Sequence, residues 1–212
     1  MFRLITNTLL ASAVLVTASA TMDAQVPQVN AYFGLGTATD SSNGQQIDTF
    51  GDGNFYNTPK ITGLFATVGA NVMLTPHYGV GGEFNWRTSQ GDYAGLNYRP
   101  LIYDFNGIWQ PLGNKSKRFV PELQAGLGGV DVRYYYNSRA CDQFVGCTNA
   151  SQFIEGANHF QLHLSAAVRM YVTPHIFLRP AVDAHWVNNF SQFGSNWMPE
   201  YSLGVGYSFG GE

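Results

Sequence analysis

Nine ionisable side chains fall on the polar parity of alternating apolar and polar segments: Glu83, Arg87, Asp104, Glu122, Arg169, Arg179, Asp183, His185 and Glu200. Alternate residues of a strand point to opposite faces, so all nine belong on one side of a sheet. Acids and bases crowded on one face can do two kinds of chemistry. Paired, they form a salt-bridge and hydrogen-bond network; opened to water, they line a path for ions. His159 and His163 form a His-x-x-x-His pair, a spacing that binds zinc on a helix. On a strand their α-carbons stand about 13 Å apart, which is too far for one metal. Asp40, Asp48 and Asp52 make one segment acidic, and Asp52-Gly53-Asn54 hints at calcium, but the spacing does not fit an EF-hand loop. A solvated, turn-rich loop is the expectation there, with no metal site and no cofactor in the chain.

The elements that must position these groups are long strands. From Phe160 to Val172 one parity reads Phe160, Leu162, Leu164, Ala166, Val168, Met170 and Val172, and the other carries His159, Gln161, His163, Ser165 and Arg169. An ordinary strand has about 5–6 residues; this one predicts about thirteen. The pattern recurs in Leu64–Leu74, Tyr78–Arg87, Leu101–Gln110, Glu122–Leu127, Ile176–Trp186 and Glu200–Phe209, and a shorter strand lies near Val29–Thr37. That makes eight strands. Short connections at Thr75-Pro76-His77, Pro111–Lys117 and Thr173-Pro174-His175 alternate with long ones over Ala38–Lys60, Thr88–Asn97, Asn137–Asn158 and Asn188–Trp197. Short turns at one end and long loops at the other predict an all-β, eight-stranded, antiparallel up-and-down transmembrane β-barrel.

Composition agrees with lipid rather than water around the barrel. Charged residues make up 12% of the 212, against about 25% in a soluble domain. Glycine is high at 24 residues, and aromatics reach 15%. A net charge of −3 gives no polyanion-binding footprint, so nucleic acid is not an expected partner. Met1–Ala24 reads as a secretory signal peptide, with Arg3 ahead of an apolar stretch and small-residue cleavage sites at Ala18-Ser19-Ala20 and Met22-Asp23-Ala24. Residues 25–212 then form a single barrel domain. Cys141 and Cys147 predict one small disulfide-closed loop in an exported protein. Lys115, Lys117 and Arg118 cluster at a turn and could touch lipid phosphates or stay solvated. Aromatics near strand ends (Tyr78, Trp86, Trp109, Phe160, Tyr171, Trp186, Tyr201 and Phe209) predict an interfacial girdle, and small residues on the polar faces fit a narrow lumen.

The last strand carries Ser202-x-Gly204-x-x-Tyr207-x-Phe209, followed by Gly210-Gly211-Glu212. It resembles the C-terminal β-signal of small OmpA-like outer-membrane barrels of Gram-negative bacteria, and the resemblance spans the mature chain through its strand pattern. It implies an outer-membrane location, lipids as surroundings, and recognition of that strand by the barrel-assembly machinery. Gly107-x-Trp109 resembles the lipocalin Gly-x-Trp motif, but that family places it on the first strand and here it lies on the fourth. His163-x-Ser165 resembles the His-x-Ser of lipid A deacylases, whose catalytic pair faces lipid. In this chain both residues share the parity of Arg169 and are expected to face the lumen. The reading is therefore a non-enzymatic barrel, plugged by its nine charged groups, with a structural or surface-interaction role. The long loops offer a surface for an extracellular ligand of unspecified kind, the third combining Tyr134-Tyr135-Tyr136 with the cysteine pair. A narrow pore for ions or small solutes is the first alternative and a lipid A-modifying barrel enzyme the second.

Overall fold

The computed structural model describes residues 27–40, 45–48, 51–113, 118–142 and 146–210. The expected leader Met1–Ala24 lies outside these residues, as do Lys115 and Lys117. Eight strands carry the fold: β1 (Gln28–Ala38), β2 (Leu64–Met73), β3 (Tyr78–Arg87), β4 (Leu96–Trp109), β5 (Phe119–Asp142), β6 (Gly146–Tyr171), β7 (Ile176–Val187) and β8 (Trp197–Phe209). Each pairs antiparallel with the next, and β8 returns to β1 with Phe209 opposite Val29 and Glu200 opposite Ala38. The sheet is thus a closed barrel.

Its girth follows from the register. Gln28 lies opposite Met73, and the circuit continues through Gly79, Ile108, Gln124, Ser165, Asp183 and Glu200 to Ala38. One turn around the wall therefore advances ten residues along β1. With strands ~4.8 Å apart and ~3.3 Å per residue, a stagger of ten over eight strands tilts them about 40° and gives a radius of about 8 Å. Every residue on that circuit faces inward and is buried. An even stagger is obligatory, because a one-residue slip would turn a strand inside out.

The wall is inverted relative to a soluble protein. Phe105 on the outward face is 71% exposed, whereas Arg169 on the inward face is fully buried. Val68, Val80, Phe84, Leu127, Leu164, Val182, Leu203 and Val205 are likewise outward and exposed. From Ile176 to Trp186 the outward face of β7 climbs about 25 Å at the ~40° tilt, matching the apolar band of a membrane barrel. Tyr78, Trp109, Trp197, Tyr201 and Phe209 are exposed near strand ends. Tyr171 corrects the expected girdle. It points inward at the turn end, where its hydroxyl lies 3.0 Å from Ser208 Oγ, because it shares the parity of Arg169.

The repeated Thr-Pro-His turns are one local device used twice. Thr75 Oγ1 accepts from the backbone amides of His77 (3.3 Å) and Tyr78 (2.9 Å), and Thr173 Oγ1 does the same for His175 (3.4 Å) and Ile176 (2.9 Å). Each imidazole then staples the turn to the neighbouring strand end. His77 Nδ1 donates to the Gln110 carbonyl (2.9 Å), and His175 Nδ1 to the Ser208 carbonyl (3.3 Å).

The long connections depart from open loops. Gly91–Tyr93 folds back on β4 through Ala94 and Gly95, both at positive φ (50° and 81°), the geometry of a two-residue hairpin turn. The expected loop Asn137–Asn158 is instead ladder: β5 and β6 run on past the wall as a ribbon. Tyr136–Asp142 and Gly146–Gln152 pair only with each other, a projection of about 20 Å at ~3.4 Å per residue. The alternation faded there because both ribbon faces meet solvent, so no period is imposed. A β-bulge between Tyr134 and Tyr135 leaves Ile154 as the extra residue on β6. Beyond it Phe153 lies opposite Tyr135, their rings edge to face at 5.9 Å. Asn137 Nδ2 braces the ribbon base against Gln90 Oε1 (2.9 Å) and Asn97 Oδ1 (2.7 Å).

Cys141 and Cys147 lie directly opposite each other near the ribbon tip and are joined as a disulfide. Thiol labelling is expected to give no signal in the native protein and two sites after reduction. Reduction leaves the barrel folded, because the ribbon shares no ladder with the rest of the wall. Collapse of the barrel on reduction, seen as loss of heat-modifiable gel migration, would contradict this assignment.

Candidate functional site in the barrel lumen

The inward parity of all eight strands delivers polar groups into a space about one side chain deep on each side. At its centre Glu122 (β5) is buried and receives the Arg169 guanidinium (β6), Arg179 Nε at 3.2 Å (β7), Gln124 Nε2 at 2.8 Å and Gln110 Nε2 at 3.3 Å. Arg179 Nη2 reaches Glu83 Oε1 at 3.1 Å, and its guanidinium lies 4.5 Å from the Tyr32 ring centroid. The Tyr32 hydroxyl donates to Glu83 Oε1. Below this layer Arg169 donates to Asn71 Oδ1 (3.2 Å) and sits 5.5 Å from the Phe177 ring. Asn30 Nδ2 donates to the same Asn71 oxygen at 2.8 Å, and Ser208 Oγ donates to Asn30 Oδ1 at 2.6 Å. A buried charge is tolerated only when paired and hydrogen-bonded, and these charges have oppositely charged partners.

A second layer lies toward the loops. His163 (β6) and His185 (β7) are direct ladder neighbours whose rings stack at 4.7 Å with a 12° interplanar angle. Asp104, Asp183 and Glu200 surround them. Arg87 sits higher still, half-buried, 5.5 Å over the Tyr98 ring. The lumen therefore brings Glu83, Asp104, Glu122, Arg169, Arg179, Asp183, His185 and Glu200 together, with Arg87 at its upper margin.

Above the charged layers the lumen is apolar. Ala38, Phe65, Tyr98, Ile102, Val130, Val132, Val187 and Met198 from the wall pack with Ile61, Tyr93, Phe190 and Phe193 from the connections. Phe190 and Phe193 stack at 4.3 Å beside the short 3-10 turn Ser191–Phe193, and Phe193 meets Tyr98 edge-on at 5.8 Å. The Tyr98 hydroxyl donates to the Lys60 carbonyl. The fourth long connection thus folds over the mouth as a cap instead of offering a free loop.

Among the described residues two clusters have metal-ligand residue types: Asp104, His163 and His185, and Glu83, His163 and Asp183. Their geometry does not suit an ion. An imidazole binds metal within its own ring plane, and two parallel stacked rings aim their lone pairs along parallel lines. Both nitrogens of His163 already face acceptors, Asn106 Oδ1 at 2.9 Å and Asp183 Oδ1 at 3.3 Å. In the first connection Asp48 accepts from the amides of Asp52 (3.2 Å) and Gly53 (3.1 Å), a turn rather than a calcium cage. Asn54, through its side chain and its backbone amide, holds the Asp52 carboxyl below the ordinary range.

No protein-family model matches the chain, and no curated protein does. Among solved structures it is similar to Ail, the attachment invasion locus protein of Yersinia pestis in complex with the heparin analogue sucrose octasulfate (12% identity, 86% of this chain and 99% of that one, TM-score 0.51). It is also similar to Neisserial surface protein A (14% identity, 86% and 97% coverage, TM-score 0.51). The outer-membrane protein OprG of Pseudomonas aeruginosa gives 16% identity, 88% and 98% coverage, and a TM-score of 0.54. The chain has the fold of the small eight-stranded outer-membrane barrels.

Within this outer-membrane barrel fold the C-terminal strand makes the closing seam. Tyr207 and Phe209 face outward, while Gly204 lies against Gly34 and Ser202 against Gly36. Small residues leave room for large neighbours on both sides of β1: on β8 the Phe177 ring covers Gly206, and on β2 the Tyr32 ring covers Gly69. Sequence reasoning missed Tyr32, Asn30, Asn71 and the apolar cap, and left Asn106 and Gln161 on the polar parity without a partner. The inward parity of β1 (Asn30, Tyr32, Gly34, Gly36) held the clue, since a lone inward aromatic among glycines must cross the lumen to fill it.

Proposed function

We propose that the chain is an integral outer-membrane protein with a closed lumen, serving as a structural wall element that displays a rigid β-ribbon at the cell surface. The inverted wall carries this reading: exposed Phe, Leu and Val outside, buried ion pairs inside. Lipid is the surrounding that favours such an outward face. Short turns at one end and the ribbon at the other suggest the orientation, with Tyr136, Phe153 and Ile154 exposed on the extracellular side and Tyr135 partly exposed beside Phe153. Exposed Tyr136, Phe153 and Ile154, beside Arg133 and its ion pair with Asp131 at 2.7 Å, make the ribbon the surface for a binding partner. The aromatic C-terminal strand suits recognition by the barrel-assembly machinery.

Two observations support closure over a pore. The charged layers are cross-bonded strand to strand, and the apolar cap seals the loop end. Purified protein in a planar bilayer is expected to show no stable channels at neutral pH, while membrane fractionation and heat-modifiable migration place it in the outer membrane. Large steady conductance would replace the closed barrel with the pore reading. The enzyme reading loses support because His163 and Ser165 are buried inside the lumen, where an acyl chain in lipid does not reach. Cells with and without the gene should then carry the same lipid A acyl-chain profile.

A further inference from the structure

We infer that His163 and His185 form a stacked pair of imidazolium ions that act as the lumen's built-in counter-charge, making the closed state dependent on two protons. The argument rests on hydrogen-bond polarity. Asn106 Nδ2 donates to Asp104 Oδ1, which fixes Asn106 Oδ1 as the acceptor 2.9 Å from His163 Nδ1. Asp104 Oδ1 itself lies 3.4 Å from that nitrogen, and Asp183 Oδ1 lies 3.3 Å from Nε2. Acceptors at both ring nitrogens require a proton on each. His185 is set the same way. Gln161 Nε2 donates to the Tyr103 carbonyl at 3.1 Å, so Gln161 Oε1 is the acceptor 3.1 Å from His185 Nδ1. His185 Nε2 and Glu200 Oε2 face each other at 3.5 Å as an ion-pair contact, and neither atom has a hydrogen-bond partner. A neutral ring would set a lone pair against a carboxylate there.

The lumen's charge count leads to the same conclusion. The charged and phenolic groups that share the lumen with the pair are Tyr32 from β1, Glu83 and Arg87 from β3, Asp104 from β4, Glu122 from β5, Arg169 from β6, Arg179 and Asp183 from β7, and Glu200 from β8. Of these, Asp104, Asp183 and Glu200 lie against the rings. Five carboxylates meet two buried guanidiniums, with Arg87 a third at the margin. Two imidazoliums make the charges equal. Two neutral rings leave an excess of two negative charges among buried groups, where an unpaired charge is costly. Stacking two like-charged rings is tolerable because Asp104, Asp183 and Glu200 flank the pair. Loss of the two protons takes one N–H donor from each ring, so one contact per ring is broken and the surrounding acids are left repelling one another.

The test uses the full barrel in detergent micelles with 15N-labelled histidine. At about neutral pH all four ring nitrogens of His163 and His185 are expected to resonate as imidazolium. The urea midpoint should fall as pH rises from about 6 to about 9, since contacts that need the protonated ring are lost as it deprotonates. A variant that removes two positive and two negative charges together (H163Q, H185Q, D183N and E200Q) should lose that fall and keep the barrel's heat-modifiable migration. H163Q/H185Q alone should migrate as a weakened barrel. A neutral tautomer at either ring near pH 7, or an unchanged pH slope in the four-site variant, would overturn the inference. The closed-barrel reading is judged separately by conductance, so the two can fail independently.

Discussion

Substituting leucine for Glu122 is expected to lower the barrel's unfolding free energy by about 3–5 kcal/mol, the cost of leaving a buried charge without its partner. Glu122 bridges β5 to both β6 and β7 through Arg169 and Arg179, so its removal strands two guanidiniums. Their fates differ. Arg179 keeps Glu83 at 3.1 Å and the Tyr32 ring. Arg169 keeps the Asn71 oxygen and the Phe177 ring, neither of which carries a charge. Glu122→Gln should fall in the same direction, since it preserves the shape and loses the charge. The E122L/R169M double variant should recover much of the loss, because an ion pair replaced as a unit by apolar groups is often neutral or stabilising. Urea titration in micelles, followed by tryptophan fluorescence, measures all three. Equal losses in the single and double variants would show that packing volume, not charge, sets the effect.

Gly128→Val should prevent the barrel from closing. Gly128 faces the lumen opposite Asp104, and a Cβ built there falls 1.9 Å from the Tyr103 carbonyl oxygen and 2.6 Å from Asp104 Cα. Both obstacles are backbone of the adjoining strand, so no rotamer change relieves them. Overpacking of a well-filled interior costs about 1–3 kcal/mol when side chains can shift; here the ladder itself must separate. The expected result is loss of the heat-modifiable band and recovery of the chain in aggregates. Gly107→Ala supplies the control. Gly107 faces outward, and its nearest neighbour is the Ala125 carbonyl at 3.7 Å, so that variant should assemble normally. A folded G128V barrel of unchanged stability would mean that β4 and β5 approach each other less closely than described.

The wall was legible in the sequence because lipid on one side and a filled lumen on the other force a two-residue period over ten or more residues. Leu162, Leu164 and Ala166 could be placed against His163, Ser165 and Arg169 for that reason alone. The charged lumen groups followed from the same parity. Which acid meets which base did not, since pairing depends on stagger, and the ten-residue advance is a property of all eight strands together. The cap was hidden for a different cause. Phe190 and Phe193 lie in a connection with no period, and the mouth they cover explains two aromatics three residues apart. The ribbon was read as a loop because solvent on both faces removes the alternation that marked every other strand. Tyr171 shows that residue type can mislead when parity is ignored: an aromatic near a strand end suggested a girdle, while its phase assigned it inward.

The bulge at Ile154 has a consequence for how this chain can change over generations. On β6 the even-numbered residues point away from the barrel axis up to Gly156, and beyond the bulge the odd-numbered ones do, beginning with Phe153. The phase of the ribbon is therefore set locally, at the bulge, and not by counting from Arg169. A single insertion or deletion farther out would rephase only the tip hairpin, leaving Gln161, His163 and Ser165 in the lumen. The protein can lengthen, shorten or rewrite what it shows to the outside one residue at a time, while the charged interior inherits none of those edits.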